Sequence, residues 1–222
     1  MAVFSAASNN LHDRIQEARA LIEVVKRNEA EKSHEEETKI LKGLFFVVVY
    51  GAVEKCICDC ITICINYLNT LTLKVTDIRP ELWALACDPE CTRIEQNSNK
   101  RKWGNRNDLF SKLSANNDKP YISPVLYPLE MGNVKMKQIS GVWRTFGIKE
   151  PENPDLTHGY DQTLKSIAEE RMKIAHGRTT STQVGSLVTA TEMQKKLNDV
   201  DYYCNYIISC FENYVTNRDY LV

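Results

Sequence analysis

The sequence has no excess of charge of either sign, because 28 Lys and Arg residues stand against 29 Asp and Glu, for a formal net charge of −1 at pH 7. A chain with so little net charge is not attracted as a whole to nucleic acid or to an anionic membrane. Any binding site for a polyanion must therefore come from a local cluster of basic side chains.

The sequence also lacks an apolar run long enough to cross a bilayer. The run GLFFVVVYGAV extends from Gly43 to Val53 and is followed at once by Glu54 and Lys55, whereas a membrane-spanning helix needs about 20 apolar residues. The first residues have neither the basic segment nor the continuous apolar stretch of a secretory signal peptide. The run therefore predicts a buried helix, and we expect a cytoplasmic protein with no membrane partner.

Cysteine is not scarce, since the chain has eight. In a chain without an export signal, this number indicates reduced thiols and not a disulfide framework. Cys56, Cys58 and Cys60 are dense on one predicted helix, but Cys58 would point about 160° to 200° away from the other two. One ion could not gather them. We expect cysteines that fill apolar space, with no metal and no cofactor.

The helical spacing of the apolar residues predicts helices at both ends of the chain. A chain of 222 residues with 43% hydrophobic content can form one sizeable domain, and no internal repeat is visible. A first amphipathic helix runs to about Asn28, with an apolar face of Leu11, Ile15, Ala18, Ile22 and Val25. A second helix, apolar on nearly every side, runs from about Glu36 to Thr70. We predict that residues 1–222 form a single domain, a helical bundle with the second helix inside.

The region between Lys74 and Pro128 is richer in Pro, Asn, Ser and charge. This composition predicts an irregular insertion of short helices and loops between the early and late helices. Asn133 and Gly147 fit the two ends of a later helix. A last helix begins at a capping-box pattern and runs to about Asn217. The box is Thr189 to Glu192, and the buried face is predicted to hold Leu197, Val200, Cys204, Ile207, Ile208, Phe211 and Tyr214.

An arginine interrupts the apolar stripe of another helix, which spans roughly Gly159 to His176. With about 100° per residue and Leu164 set at zero, Arg171 falls at about 340°, in the centre of the stripe. An uncompensated guanidinium there would cost on the order of several kcal/mol. We therefore expect Arg171 to meet a carboxylate, a bound anion or a water-filled cleft.

His176 stands at the predicted end of the same helix. Gly177 directly after it is typical of a left-handed C-terminal cap, which would let the histidine turn toward the side of Arg171. Arginine is a permanent planar cation suited to phosphate, and histidine exchanges a proton near neutral pH. Together the two side chains suit phosphodiester chemistry without a metal.

The partner expected for Arg171 is Glu54, on the second helix. Glu54 lies on the same helical side as Tyr50 and Ile57, so it is expected to be partly desolvated and to orient the arginine. Asp59 is an alternative partner, because it falls on the stripe of neighbouring apolar residues.

These residues resemble the HEPN superfamily. Arg171 and His176 in RMKIAHG are similar to its R-x4-6-H motif, LKGLFFVVVYGAVE to its buried early helix, GVWRTFGI to the segment before the motif helix, and the capped final helix to its last one. The surrounding order is similar to that of HEPN-like nucleases from bacterial toxin and defence loci. One departure is Met172, where the superfamily commonly has asparagine.

The resemblance implies an all-α, HEPN-type helical bundle that forms a homodimer in which two Arg-His pairs share one cleft. It also implies a metal-independent endoribonuclease acting as a toxin or antiphage-defence effector. The RNA 2′-hydroxyl would attack the adjacent phosphate and leave a 2′,3′-cyclic phosphate. His176 would take or deliver the proton, and Arg171 would bind the phosphate. Supporting positions would be Tyr50, Glu54, Met172 and Gly177. A neutralising or regulatory partner protein would fit such a locus.

Two alternatives stay open. Arg171 can pair with a core carboxylate while His176 merely lies at a helix end, near its negative dipole. The chain can also be an inactive HEPN-type dimeric module that binds nucleotide, RNA or a partner protein.

The strongest basic segment is NSNKRKWGNRN. Cations interleaved with an aromatic residue suit single-stranded RNA, although a solvated surface loop has the same composition. The candidate RNA-binding residues of this loop are Lys100, Arg101, Lys102, Trp103 and Arg106. Lys173 and Arg178, which flank the motif, are expected near the shared cleft.

Overall fold

The computed structural model describes residues 3–96, 99–115, 121–124, 134–149 and 159–222, with the side chains of Asn99 and Lys100 outside the description. Within these ranges the chain is all-α and has no strand, apart from one isolated bridge between Ile78 and Leu221. This confirms the predicted fold class. The helices are α1 Ser5–Glu31, α2 Glu35–Thr70, α3 Trp83–Ala86, α4 Asp88–Gln96, α5 Asn99–Ser114, α6 Met136–Phe146, α7 Tyr160–Ala175, α8 Ser181–Gly185 and α9 Ala190–Thr216.

The long helix α2 lies at the centre of the fold, as its sequence predicts. It packs against α1, α7, α8 and α9, so apolar side chains are buried on most of its sides. The buried residues include Phe45, Val49, Val53, Ile57, Ile61 and Ile65. Among the described residues, no helix is both long enough and apolar enough to cross a bilayer.

Helix α1 follows its predicted apolar pattern, and all five predicted positions from Leu11 to Val25 are buried. It extends beyond the predicted end, however, to Glu31. Lys32 then adopts a left-handed conformation with φ of 51°, and the Ser33 N–H donates to the Asn28 carbonyl at 3.1 Å. No glycine marks this end, because Lys32 occupies the left-handed position that glycine usually takes.

The last helix, α9, confirms the predicted capping box. The Glu192 N–H donates to Thr189 Oγ1 at 3.2 Å, and the Thr189 N–H donates to Glu192 Oε2 at 2.8 Å. All seven residues of its predicted core face are buried. An ion pair between Arg19 and Asp201, at 2.8 Å, joins α9 to α1.

Helix α8 is a short element that the sequence analysis missed. It lies backbone to backbone on α2, because a Cβ built at Gly43 would overlap the backbone of Ser181, and one at Gly185 would overlap the carbonyl of Lys39. A five-residue helix has too few apolar residues to show a period. Its signal was the capping box of Thr180 and Gln183. The close contact holds the chain that follows the motif helix against α2.

The region predicted as an irregular insertion does contain short helices, but the prediction that the basic segment is a loop is wrong. From Asn99 onward, that segment belongs to α5, which runs antiparallel to α4 and is tied to it by an ion pair between Lys112 and Glu90 at 2.7 Å. Segment 121–124 returns to α2, where Asn69 exchanges two hydrogen bonds with the backbone of Ile122, at 2.7 and 3.1 Å.

Helix α6 begins at Met136 and ends before Gly147, whose φ of 66° confirms the predicted left-handed cap. The predicted N-terminal cap, Asn133, lies outside the described residues. The Gly147 carbonyl accepts a hydrogen bond from the guanidinium of Arg79 at 3.2 Å, which ties this end of α6 to the segment between α2 and α3.

Candidate functional site

The helix that carries the Arg-His motif, α7, is fixed by an apolar stripe and by two polar contacts. Leu164, Ile167 and Ala168 are buried on its inner face. Thr163 donates to Asp199 at 2.8 Å, and Lys196 of α9 donates to Ser166 at 3.0 Å, so polar side chains hold α7 along α9. These contacts set the rotation of α7 and bring its C-terminal half over α2.

Arg171 is half-buried and lies on Tyr50 of α2. Its guanidinium carbon is 4.7 Å from the centre of the Tyr50 ring. A cation over the face of an aromatic ring is attracted by the negative charge of that face. The predicted position of Arg171 on the inward side of α7 is therefore confirmed. Ala175, the last residue of α7, is exposed.

Tyr50 is buried, with 2% of its surface exposed, and its hydroxyl accepts a hydrogen bond from the backbone N–H of Val134 at 2.8 Å. Burial raises the pKa of Tyr50, and the Val134 bond and the Arg171 charge oppose that rise while the Glu54 charge adds to it. The ring is therefore neutral at physiological pH and held at both ends. The sequence indicated Tyr50 only as a supporting residue and did not predict that Arg171 lies on its ring.

Glu54 lies one turn beyond Tyr50 on α2 and is half-buried. Its charge contributes to the raised pKa of Tyr50. Burial, and after it the charge of Glu54, raises the pKa of Cys58 to about 11. Glu54 and Arg171 therefore act on the same tyrosine. Asp59, the alternative partner, instead contacts Lys55 at 2.6 Å and Asn10 of α1 at 2.8 Å, because its side chain is on the α1 side of α2.

The motif helix ends in the left-handed cap that the sequence predicts. Gly177 has a φ of 65°; its N–H donates to the Ile174 carbonyl at 3.0 Å, and the Arg178 N–H donates to the Lys173 carbonyl at 2.9 Å. This pair of backbone hydrogen bonds is the Schellman motif. His176 is exposed on this rigid cap, with its own N–H bonded to the Met172 carbonyl at 3.1 Å. Within one chain, Arg171 thus faces inward while His176 faces solvent.

The other residues near the motif differ in their contacts. Lys173 forms a surface ion pair with Glu170 at 2.7 Å, which raises the pKa of the lysine. Arg178 is exposed and Met172 is half-buried. Two residues beyond Gly177, the buried hydroxyl oxygen of Thr179 has no hydrogen-bond partner among the described residues. A surface ion pair such as Lys173–Glu170 contributes little stability, so Lys173 can exchange Glu170 for another anion.

The basic segment lies apart from the motif helix. Helix α5 packs mainly on α4, whereas α7 packs on α2, α6 and α9. Trp103 is exposed, and the Arg106 guanidinium carbon is 4.9 Å from the centre of its ring. Arg101 is exposed and Lys102 half-buried, while the Lys100 side chain lies outside the described residues.

No group of three or more His, Cys, Asp and Glu side chains within the described ranges could hold a metal ion. All eight cysteines are free thiols, and six of them are buried. Cys56 of α2 donates to the backbone carbonyl of Cys204 at 3.7 Å. Cys56 and Cys204 therefore pack α2 against α9, in the space-filling role that the sequence predicts.

An all-α fold around a long apolar helix, with an Arg-x4-His motif at the end of a later helix, is the arrangement that the resemblance to the HEPN superfamily implies. A family model described as HEPN_MAE_28990-like HEPN matches residues 4–220. The chain therefore belongs to this HEPN family. No curated protein and no solved structure matches it.

Proposed function

We propose that the protein is a metal-independent endoribonuclease that cleaves RNA by attack of the 2′-hydroxyl on the adjacent phosphate. The observation that carries the proposal is the position of Arg171, half-buried with its guanidinium 4.7 Å from the Tyr50 ring and on the helix whose cap carries His176. A cation seated in this way is pre-organised for an anion, and HEPN membership supports RNA as that anion.

Arg171 binds the scissile phosphate in this mechanism. The Tyr50 ring lies against the planar guanidinium, and the N–H edge of a guanidinium matches the geometry of phosphate oxygens. The buried Tyr50 ring reduces the freedom of the arginine. Positive charge held in place stabilises the negative charge that develops on the phosphate in the transition state.

His176 exchanges the protons. Attack by the 2′-oxygen forms a new P–O bond and breaks the bond from phosphorus to the 5′-oxygen. One group must therefore accept the 2′-hydroxyl proton, and another must donate a proton to the leaving 5′-oxygen. Each chain supplies one motif histidine, His176. Two protomers facing each other supply one histidine as the base and the other as the acid.

A homodimer also gives a partner to an exposed apolar ridge on α2. Ile40, Leu44 and Val47 are 41%, 38% and 38% exposed, and their spacing of four and three places them on one helical face. Glu54 falls within about 40° of that face, next to Tyr50. A second copy on this ridge would bring its own cap near the first Arg171, with Lys173 and Arg178 at the rim.

The chemistry suits a toxin or antiphage-defence effector that acts in the cytoplasm and is restrained by a partner protein. Cleavage of cellular RNA harms the host, so such an enzyme requires control. The genomic neighbour that silences it is the partner to look for, and its co-expression should relieve toxicity of the wild type.

The decisive experiment is cleavage of a labelled RNA in EDTA, with the product ends identified by mass spectrometry. We expect products ending in a 2′,3′-cyclic phosphate, and losses of about 10²- to 10⁴-fold in both Arg171→Ala and His176→Ala. Matched controls are Lys165→Ala, on the exposed side of α7, and His12→Ala, exposed on α1. Both should cut like wild type.

The proposal fails if purified wild type leaves RNA intact or if EDTA stops the reaction. In that case the inactive dimeric module that binds nucleotide, RNA or a partner protein takes its place. Normal cleavage by His176→Ala would instead reduce the histidine to a residue of the helix end.

A further inference from the structure

Two large aromatic side chains are exposed on α5. Trp103 and Phe110 have 69% and 66% of their surface in solvent. Because the two are seven residues apart, they lie on the same face of the helix, about 10 Å from each other along its axis. A single exposed apolar residue is ordinary, but adjacent exposed aromatic rings mark a binding surface.

The same helix has cations that its own fold does not use. Among the described residues, no carboxylate forms an ion pair with Arg101, Lys102 or Arg106, and Asp108 is the only acidic residue of α5. Lys112, by contrast, is bound to Glu90 and holds α5 on α4. The N-terminal part of α5 therefore presents positive charge around Trp103.

The two rings also border a common groove. Its volume is about 500 Å³, and it is lined by Ile94, Trp103, Arg106, Asn107, Leu109 and Phe110. Arg106 lies between the two rings in sequence and stacks on Trp103 at 4.9 Å. Apolar walls flanked by cations complement a flat apolar base attached to an anionic backbone.

We infer that this face of α5, defined by Trp103, Arg106 and Phe110, binds unpaired RNA by stacking bases on the two rings, while Arg101, Lys102 and Arg106 contact phosphates. The inference rests on the proposed function for its choice of RNA. Bases in a duplex are covered on both faces by their neighbours, so only an unpaired base can stack on a protein ring. The face therefore selects single-stranded regions.

The test uses a probe that cannot be cut, so that binding is measured whatever the fate of the nuclease proposal. A fluorescein-labelled, 2′-O-methylated RNA 12-mer without secondary structure is titrated with protein, and fluorescence anisotropy gives the dissociation constant. Trp103→Leu and Phe110→Leu should each weaken binding about tenfold, because stacking on an aromatic ring contributes strongly per base. Trp103→Phe keeps a ring and should bind within about threefold of wild type.

The control is Leu187→Ala, which removes an apolar side chain that is 85% exposed and belongs to the segment between α8 and α9. It should leave the affinity unchanged. The duplex form of the same probe should bind more weakly than the single strand and respond little to Trp103→Leu. Because both aromatic residues are exposed, each leucine variant should keep the wild-type melting temperature.

Unchanged affinity in both leucine variants overturns the inference, as does equal binding of single strand and duplex. If the leucine variants keep RNA affinity but lose a co-purifying acidic protein, the face belongs to that protein and not to RNA. If the wild type does not cleave RNA but binds it with an affinity that depends on the two rings, only the nuclease proposal is wrong. Retained cleavage with ring-independent binding would sink this inference alone.

Discussion

The guanidinium carbon of Arg171 lies 4.7 Å from the centre of the Tyr50 ring, and the Tyr50 hydroxyl is held by the Val134 N–H at 2.8 Å. Three separate parts of the chain, α7, α2 and the start of the α6 segment, therefore meet at one buried tyrosine. This arrangement resolves the cost of an arginine on the inner side of α7, because the ring and the nearby Glu54 charge offset part of its desolvation.

The ring of Tyr50 and its hydroxyl should have separable roles. Tyr50→Phe keeps the surface under Arg171 but leaves the buried Val134 N–H without its acceptor, which costs about 1–3 kcal/mol of stability. Tyr50→Leu loses the ring as well, so single-turnover RNA cleavage should fall about fivefold, in proportion to a cation–π contact of roughly 1 kcal/mol. Thermal melting and single-turnover rates, measured together, separate the two effects.

The control for these variants is Tyr121→Leu, since Tyr121 is 72% exposed. It should change neither the melting temperature nor the rate. Equal rates for Tyr50→Phe and Tyr50→Leu would show that the ring does not position Arg171 for the reaction.

Gly177 should be required for its backbone conformation and not for space. Its φ is 65°, yet nothing lies within 4 Å of a Cβ built there. Gly177→Ala should therefore cost about 1 kcal/mol, or roughly 2–4 °C in melting temperature, and Gly177→Asn less, because asparagine tolerates the left-handed region. The rate of RNA cleavage should fall by more than the loss of stability explains, since the cap carries His176.

Gly104→Ala is the matched comparison, because Gly104 lies in α5 with open space around it and no positive φ. Helix propensity should make that variant up to about 1 kcal/mol more stable. A loss in Gly104→Ala equal to that in Gly177→Ala would contradict the conformational explanation.

The sequence predicted the elements that have long apolar periods, and failed where the period is short or where distant segments meet. All the predicted core positions of α1 and α9 are buried, and the glycine caps of α6 and α7 are confirmed. The helix α8 was missed because it packs through its backbone at Gly43 and Gly185. Such contact leaves no side-chain period in the sequence.

The candidate site was predictable in part for the same reason. The stripe of α7 placed Arg171 inward from local spacing alone. The Tyr50 ring and its bond to Val134 were not predictable, because Tyr50 and Val134 are 84 residues apart and no local pattern records their contact. Glu54 was expected near Arg171 because it shares a helical face with Tyr50. Asp59 instead contacts Asn10 of α1, and that contact depends on how α1 and α2 cross.

The exposed ridge of Ile40, Leu44 and Val47 on α2 should lie in a homodimer interface. Light scattering of wild type should give twice the 25.4 kDa of one chain, and Leu44→Asp should shift the protein toward monomer, because a buried, unpaired carboxylate opposes association. Leu187→Asp, at an 85% exposed position outside α2, should stay dimeric. A wild type that is monomeric at micromolar concentration would contradict the shared cleft.

Mixtures of wild type with His176→Ala should lose activity as the square of the wild-type fraction. If one protomer supplies the base and its partner the acid, a mixed dimer lacks one proton-transfer group and only wild-type dimers retain full rate. At equal amounts of the two chains, the total rate should be about a quarter of that of undiluted wild type, since subunits of a two-fold dimer pair at random. Native mass spectrometry would first establish that the subunits have exchanged. Dilution with His12→Ala, which leaves the motif intact, should preserve the full rate. A linear decline with His176→Ala would mean that each chain works with its own histidine, and the mechanism that divides the two proton transfers between protomers would be wrong.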